Sequence, residues 1–277
     1  MQKNPLDTNT LLLSSAQNPR VKEVIHLRER REREKTGLFI IEGYRELLRA
    51  TDANHPIHQL FICPELFLGS NEDALIARLK LKGAKIFTCT EAVFRKLSYR
   101  DRPDGLVAVA PQQHLTLENL QQQLAKKNNP FLVVAEAIEK PGNLGTILRS
   151  SDAVGLDALI VCDQCTDPHN PNVVRASVGT LFTVPVIEAE GEPTLQWLKT
   201  NKIAILAATP SAQMEYTDVD MTQPIAIVVG TEQLGLSERW MQNADIQVRI
   251  PMCGVADSLN VAMATTLLLY EALRQRR

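Results

Sequence analysis

Several common signatures are missing from this sequence, and each absence narrows the reading. Cysteine is scarce and odd in number, five in 277 residues, which fits a reduced, cytoplasmic protein rather than a disulfide scaffold. Neither GxGxxG nor GxxxxGK[ST] occurs, so the dinucleotide and nucleoside-triphosphate fingerprints do not apply. HExxH is absent too. The one CxxC, Cys162-Asp163-Gln164-Cys165, has only His169 close by, so the four ligands of a structural zinc are not assembled. It also lacks the helix-N-terminal setting of a thioredoxin pair. No apolar stretch approaches the roughly 18–20 residues of a membrane span. The start of the chain offers only Leu11–Leu13 as an apolar run, so no signal peptide is expected. There is no internal repeat and no low-complexity tract. Net charge is almost absent, −2 from 30 basic and 32 acidic residues, and that balance names no partner.

What is present is a globular composition, 44% hydrophobic and 22% charged, long enough to bury a core without staples. At about 100–200 residues per domain the length suits two domains. The small net charge is a cancellation. Residues 1–112 hold 18 Lys+Arg and 14 Asp+Glu, net +4, whereas residues 113–277 hold 12 and 18, net −6. The excess concentrates in Arg78, Lys80, Lys82, Lys85, Arg95, Lys96, Arg100 and Arg102, opposed within that stretch only by Glu91 and Asp101. A cluster of this kind can collect phosphates, or it can be a solvated face.

Periodicity predicts a small α/β domain first: a charged helix over Pro19–Lys35, strands at Leu38–Ile41, Ile57–Ile62, Ala84–Phe87 and Leu106–Ala110, and helices at Gly43–Thr51, Asn71–Leu81 and Thr90–Ser98. Residues 113–129, with three consecutive glutamines and a helical run near Leu115–Leu124, form the junction. A second alternation follows over 130–277. The continuous apolar runs Phe131–Ala135 and Ile225–Val229 are of the type buried on both faces of a parallel sheet. Further strands are expected at Ala158–Val161, Phe182–Ile187, Ile203–Ala207 and Val248–Ile250. Helices are expected at Asn143–Val154, Asn172–Gly179, Thr194–Thr200 and Ser258–Arg276.

Three segments can carry chemistry. In the first, Glu136 through Gly155, a buried strand gives way through Pro-Gly-Asn to a helix, whose free N–H groups face the edge where open α/β sheets hold ligands. Leu144, Ile147, Leu148, Ser151 and Val154 form one stripe of that helix, and Arg149 lies off it. The second, Ile227 through Ser237, is strand, glycine turn, carboxylate, glycine and a Ser-capped helix; Gly230 permits close backbone approach. The third, Ile250 through Ala264, is a non-repetitive loop entering a Ser-Leu-Asn helix start. Taken singly, these also read as ordinary caps and tight loops.

Together, PGNLGTILRSSDAVG, VVGTEQLGLS and IPMCGVADSLNVAMA occur in the order and spacing of the SpoU/TrmH-type RNA 2′-O-ribose methyltransferases, a resemblance covering about residues 130–275. FIIEGYRELLRA and RPDGLVAVA in the basic first part resemble, more loosely, the substrate-binding domain of the ribosomal-RNA members, similar in fold to kink-turn-binding ribosomal proteins. The resemblance implies an RNA substrate-binding domain over 1–112, a linker over 113–129 and, over 130–277, a parallel-sheet catalytic domain with a deep C-terminal trefoil knot.

It further implies that knot loops around Thr209, Gly230, Ile250, Met252 and Leu259 cradle S-adenosylmethionine. Asn143, Arg149, Glu232, Ser258 and Asn260 match the polar catalytic set, and Arg175, in NPNVVRASVGT, fits a family segment that can hold RNA phosphate. The family assigns activation of the 2′-hydroxyl to the arginine at position 149. With a pKa above about 12 a guanidinium is a poor base, so donor and phosphate anchor are the favoured roles. A homodimer burying part of the terminal helix (Leu259, Met263, Thr266, Tyr270, Leu273) is expected. Ribosomal RNA is favoured over tRNA by the attached domain. A non-catalytic RNA-binding protein of this fold and a base-methylating knotted enzyme are the competing readings.

Overall fold

A computed structural model describes residues 11–163, 165–231 and 233–277. Glu232 of the expected catalytic set, Gln164 of the CxxC and the first ten residues lie outside the described residues. In chain order the elements are β1 (Leu11–Leu13), α1 (Pro19–His26), α2 (Arg30–Thr36), β2 (Leu38–Glu42), α3 (Tyr44–Asp52), β3 (Gln59–Ile62), α4 (Glu72–Leu81), β4 (Lys85–Cys89), α5 (Glu91–Leu97), β5 (Leu106–Pro111), α6 (Leu117–Leu124), β6 (Phe131–Glu136), α7 (Pro141–Val154), β7 (Ala158–Cys162), α8 (Pro171–Ala176), β8 (Val186–Ala189), α9 (Gly191–Thr200), β9 (Ala204–Ala208), β10 (Met214–Glu215), β11 (Ile225–Val229), α10 (Glu238–Asn243), β12 (Ile246–Arg249) and α11 (Val261–Arg276). They form two compact units. One runs to Gln113 and includes His169–Phe182; the other comprises His114–Pro168 and Thr183–Arg277. Among the described residues no helix is long and apolar enough to cross a membrane.

The first unit is a five-stranded sheet of order β1-β4-β3-β5-β2, parallel from β1 to β3 and antiparallel from β3 to β2. Alternation along each strand supplies two cores. Phe39, Ile41, Leu60, Ile62, Leu106 and Ala108 face α3, α4 and Val174 of α8. Ile40, Phe61, Phe87, Val107 and Val109 face α1 and α5. The strand β1 was not expected, because three leucines carry no period; it pairs in parallel with β4. The single helix expected over Pro19–Lys35 is two. Leu27 closes α1, and the buried Arg33 guanidinium spans the break, donating to the carbonyls of Leu27 at 3.0 Å and Arg28 at 2.7 Å.

The second unit is an all-parallel seven-stranded sheet of order β10-β12-β9-β11-β6-β7-β8. The strands β6, β7 and β11 are buried at every residue, as the apolar runs Phe131–Ala135, Ala158–Cys162 and Ile225–Val229 require. Residues 114–129 belong to this unit. There Thr116 and Asn119 form a capping box at the start of α6, and Leu120 enters the core with Trp240. The strand expected at Phe182–Ile187 begins only at Val186. Pro185 lacks the N–H a ladder needs, and Thr180–Phe182 forms a 3₁₀ turn. The last strand, β12, lies beyond β9 and not beside β11, after which the chain returns so that α11 packs on α7 and β11. With all strands parallel, the loops leaving β9, β11 and β12 gather at one edge of the sheet.

Candidate active site

Those three loops enclose a cleft of about 560 Å³, within the range of small-molecule sites. Thr209, Gly230, Ile250, Met252 and Leu259 all line it, and so does Ser258. Val229, Leu236, Met241 and Val248 add apolar walls. At its back, a Cβ on Gly230 would fall well inside 3.0 Å of the Gly235 carbonyl and 2.7 Å from the Leu236 nitrogen. The turn from Thr231 to Gly235 doubles back this tightly because Thr231 N–H donates to Gly235 O at 3.1 Å, Gly235 N–H to Thr231 O at 3.0 Å, and Leu234 N–H to the Thr231 hydroxyl at 3.0 Å. The helix that follows is not capped by the Ser237 hydroxyl. Instead the buried Glu136 carboxylate, at the end of β6, accepts the Ser237 N–H at 2.8 Å.

A smaller recess of about 90 Å³ adjoins the cleft, shares Thr231, Gln233, Leu234 and Val261 with it, and is lined by Asn143 at the entry to α7. Asn260 Nδ2 donates to Asn143 Oδ1 at 3.1 Å, while Asn260 Oδ1 accepts from the N–H of Ala262 at 3.0 Å. Asn260 is thereby the N-cap of α11. The helix starts three residues later than the sequence suggested, leaving Ser258 and Leu259 in the cleft loop. The stripe read on α7 is buried as expected, and Arg149 is exposed. It lines neither the cleft nor the recess of its own chain. Ser211, Gln233 and Asp257 also line the cleft. They escaped sequence reading because isolated polar residues in loops carry no period.

The basic stretch of the first unit is continuous in sequence and divided in space. On α4, Leu75, Ile76 and Leu79 bury into one core, so Arg78, Lys80 and Lys82 flank that face of the sheet; on α5, Val93, Phe94 and Leu97 bury into the other, which sends Arg95 and Lys96 to the opposite face. Several are already engaged. Arg78 pairs with Asp52 at 2.6 Å and Arg95 with Glu91 at 2.7 Å; the Lys82 ammonium donates to Thr51 O and Asn54 Oδ1, each at 2.8 Å. Lys85 is exposed at the start of β4.

Arg100 is half-buried, donating to Glu46 at 2.6 Å and to the Glu42 carbonyl at 2.8 Å. Glu42 in turn accepts from Ser98 and from the Tyr99 N–H, and Asp104 accepts the Tyr44 N–H at 2.8 Å. The two first-unit motifs, FIIEGYRELLRA and RPDGLVAVA, therefore lock onto each other. Burial pushes the Glu46 carboxyl above the usual carboxylate range, opposed by Arg100. Arg102 and Arg175 are exposed and share with Arg100 a depression on this unit.

Neither cysteine of the CxxC is exposed. Burial pushes the Cys162 thiol up to about 12, and Cys162 and Cys165 reach Thr194 and the Ile138 carbonyl respectively.

Known proteins match along nearly the whole chain. The SpoU rRNA Methylase family matches residues 130–270, and the MRM3-like substrate binding domain matches residues 18–108. A 23S rRNA (uridine(2479)-2′-O)-methyltransferase of Streptomyces viridochromogenes is 31% identical over 261 residues, covering 90% of this chain and 87% of the relative. The crystal structure of an RNA 2′-O ribose methyltransferase is 40% identical with a TM-score of 0.84, covering 96% of this chain and 99% of that one. An AdoMet-bound rRNA methyltransferase from Sinorhizobium meliloti gives a TM-score of 0.87 at 29% identity, covering 96% and 98%. With its cleft-forming loops in place and both halves matched, the chain belongs to the SpoU rRNA methylase family.

Proposed function

We propose that the protein transfers a methyl group from S-adenosylmethionine to a ribose 2′-hydroxyl of ribosomal RNA. The observation that carries this reading is the cleft itself. Thr209, Gly230, Ile250, Met252 and Leu259, selected by resemblance from three separated loops, line one cavity of ligand size beside the Asn143–Asn260 pair. The fit to the cofactor rests on shape and chemistry: apolar walls suited to its adenine, exposed loop backbone for its polar edges, and a floor at Gly230 that leaves no room for a side chain. When bound, the cofactor supplies an activated methyl on a good leaving group. The chain's own part is alignment of the hydroxyl and assistance to its proton loss. Asn143 and Asn260 order the loops, Ser258 contacts ribose or cofactor, and Glu232 orients the site.

Arg149 serves as hydrogen-bond donor and phosphate anchor, since an arginine guanidinium offers donors only and no site to accept a proton. Its position outside the cleft of its own chain is accounted for by a homodimer. Met263, Leu267 and Tyr270 leave an apolar stripe of α11 exposed, at 63%, 41% and 50%, while Val261, Ala262, Thr265, Leu268, Leu269 and Ala272 supply the face buried within the chain. A second copy covering that stripe completes the site. Residues 1–112 together with 169–182 act as the RNA-gripping domain and 130–168 with 183–277 as the catalytic domain, while 113–129, read from the sequence as a linker, falls with the catalytic unit from His114 on. The return of α11 past β9 to α7 and β11 is compatible with the trefoil path of the family. An RNA substrate and four buried free thiols suit a reduced, cytoplasmic setting.

Labelled methyl incorporation into 23S ribosomal RNA, followed by nuclease digestion and mass analysis, tests the reaction. A 2′-O-methyl nucleotide is expected; a methylated base, or label entering tRNA alone, overturns the reading. In the same assay Arg149→Ala is expected to lose transfer while binding S-adenosylmethionine nearly as the parent does.

A further inference from the structure

The first unit carries an open depression of about 540 Å³ lined by Glu46, Arg100, Asp101, Arg102 and Arg175. Its arginines come from two distant stretches of sequence, Arg100 and Arg102 from the loop after α5 and Arg175 from α8. The short helix α8 lies within the stretch matched by the methylase family, yet it is built into this unit. Val174 enters the core with Phe39 and Ile41, Asn172 Nδ2 donates to the Tyr99 hydroxyl at 3.1 Å, and Arg49 donates to the Val178 carbonyl. Gly179 sits so close to α3 that a Cβ there would meet Glu46 Cα at 2.9 Å. Both sides of the depression are therefore fixed by backbone packing.

The three guanidiniums differ in what they have left to give. Arg100 is occupied by Glu46 and the Glu42 carbonyl and approaches Asp104 at 3.8 Å. Gly43, at φ 110°, leaves room for it, since a Cβ there would lie 2.6 Å from its terminal nitrogens. Arg102 and Arg175 are exposed, and neither makes an ion pair among the described residues. Among the residues lining the depression Asp101 is the one exposed carboxylate. Guanidinium forks match tetrahedral oxyanions, and two lining one depression can share a phosphate between them. An open depression suits a polymer backbone passing over it better than a small anion, which needs enclosure.

We propose that Arg102 and Arg175 form a two-arginine clamp on one phosphodiester of the RNA substrate, with Arg100 as its immobile wall. The proposal rests on the RNA-substrate reading above. It separates a docking pair, Arg102 and Arg175, from three arginines of the first unit whose charges are already paired, Arg78, Arg95 and Arg100.

The test uses the full chain and an unmodified transcript of 23S ribosomal RNA, with affinity measured from low to high salt. Arg102→Ala combined with Arg175→Ala is expected to reduce the slope of log K against log salt by about one, the value of one phosphate contact. Each single substitution should produce most of that loss, because half a clamp holds little. R102K/R175K, which keeps the charges and removes the forks, should retain the slope and bind more weakly. An unchanged slope and affinity in the double alanine variant overturns the clamp. Additive losses summing to about two also overturn it, since they mean two separate phosphates. If the parent protein fails to bind the transcript while its melting curve shows it folded, the RNA-substrate reading falls, an outcome distinct from failure of the clamp alone.

Discussion

Substitution of Gly230 by alanine tests whether the cleft is a cofactor site whose floor must be backbone. The added methyl would overlap the Gly235 carbonyl and sit 2.7 Å from the Leu236 nitrogen. An ordinary carbon–nitrogen contact needs about 3.4 Å, so the turn must retreat by roughly 0.7 Å at that atom and further at the carbonyl. No flexible side-chain end is available to absorb the movement. The retreat strains the Thr231–Gly235 pair, bonded at 3.1 and 3.0 Å, and the bond from Leu234 N–H to the Thr231 hydroxyl. Loss of two such bonds, at about 1 kcal/mol net each, costs about 2 kcal/mol. Expressed as affinity for a ligand that needs the turn in place, this is roughly a thirtyfold weakening. Calorimetric titration with S-adenosylmethionine reads that number directly, and a melting curve establishes that the variant is folded. Gly142→Ala is the control: no atom lies within 4 Å of its Cβ, so binding should match the parent and helix α7 should gain slightly. If Gly230→Ala binds the cofactor as tightly as the parent, the cleft is not the cofactor site, or its floor is not backbone.

Asn260 holds two roles that substitution separates. Asn260→Asp keeps the cap on α11 and removes the donor to Asn143, so stability should hold while methyl transfer falls; Asn260→Ala should also lose about 1 kcal/mol of stability in denaturant melts. Equal activity in the Asp variant would remove the Asn143 contact from the mechanism. Met263→Glu places a charge on the exposed stripe of α11 without touching the buried face. Sedimentation at micromolar concentration should show a dimer in the parent and a monomer in the variant, and a monomeric parent would refute the dimer. Hydrogen bonds from Arg274 and Gln275 hold the Glu271 carboxyl down at about 2, below its ordinary 4.5. The folded value lies below the unfolded one, so the stabilisation is complete above about pH 4.5 and is lost as pH falls toward 2. Glu271→Gln should flatten stability against pH across that interval, and an unaltered profile would show that the carboxylate does not contribute.

Legibility followed the length scale of the interaction. The runs FLVVA and IAIVV announced strands covered on both faces, because a parallel sheet with helices on either side asks nothing else of them. The stripe of α7 was readable because Leu144, Ile147, Leu148, Ser151 and Val154 keep helical spacing and all five bury. The cleft-lining residues were found by resemblance alone, since loop backbone has no period. The terminal helix shows the limit. A stripe including Met263 and Tyr270 could be read from spacing, and both are exposed, but sequence could not say that Leu268 and Leu269 take the inner face. The strand β1 and the break between α1 and α2 were invisible for related reasons: three residues are too few to show alternation, and a buried Arg33 reads as one more surface charge until its two carbonyl partners are seen.

Charge is the property that sequence order represented least faithfully, and the structure changes how RNA binding should be probed. The cluster from Arg78 to Arg102 is split by the sheet between two faces, because α4 and α5 bury their apolar residues into different cores. Meanwhile Arg175, some seventy residues further on, joins Arg100 and Arg102 around one depression. Deleting residues 1–112 is thus a poor way to measure what the basic half contributes. It would strip α8 of β2 and α3, expose Val173 and Val174, which are now buried, and leave Arg175 without its fixed setting. Any loss of RNA affinity would then mix misfolding with lost phosphate contacts. Point substitutions at exposed arginines in the full chain separate the two, since removing a guanidinium from an exposed side chain leaves the core intact. If the salt slope of the full chain proved insensitive to every exposed arginine of the first unit, that unit would be gripping something other than phosphate.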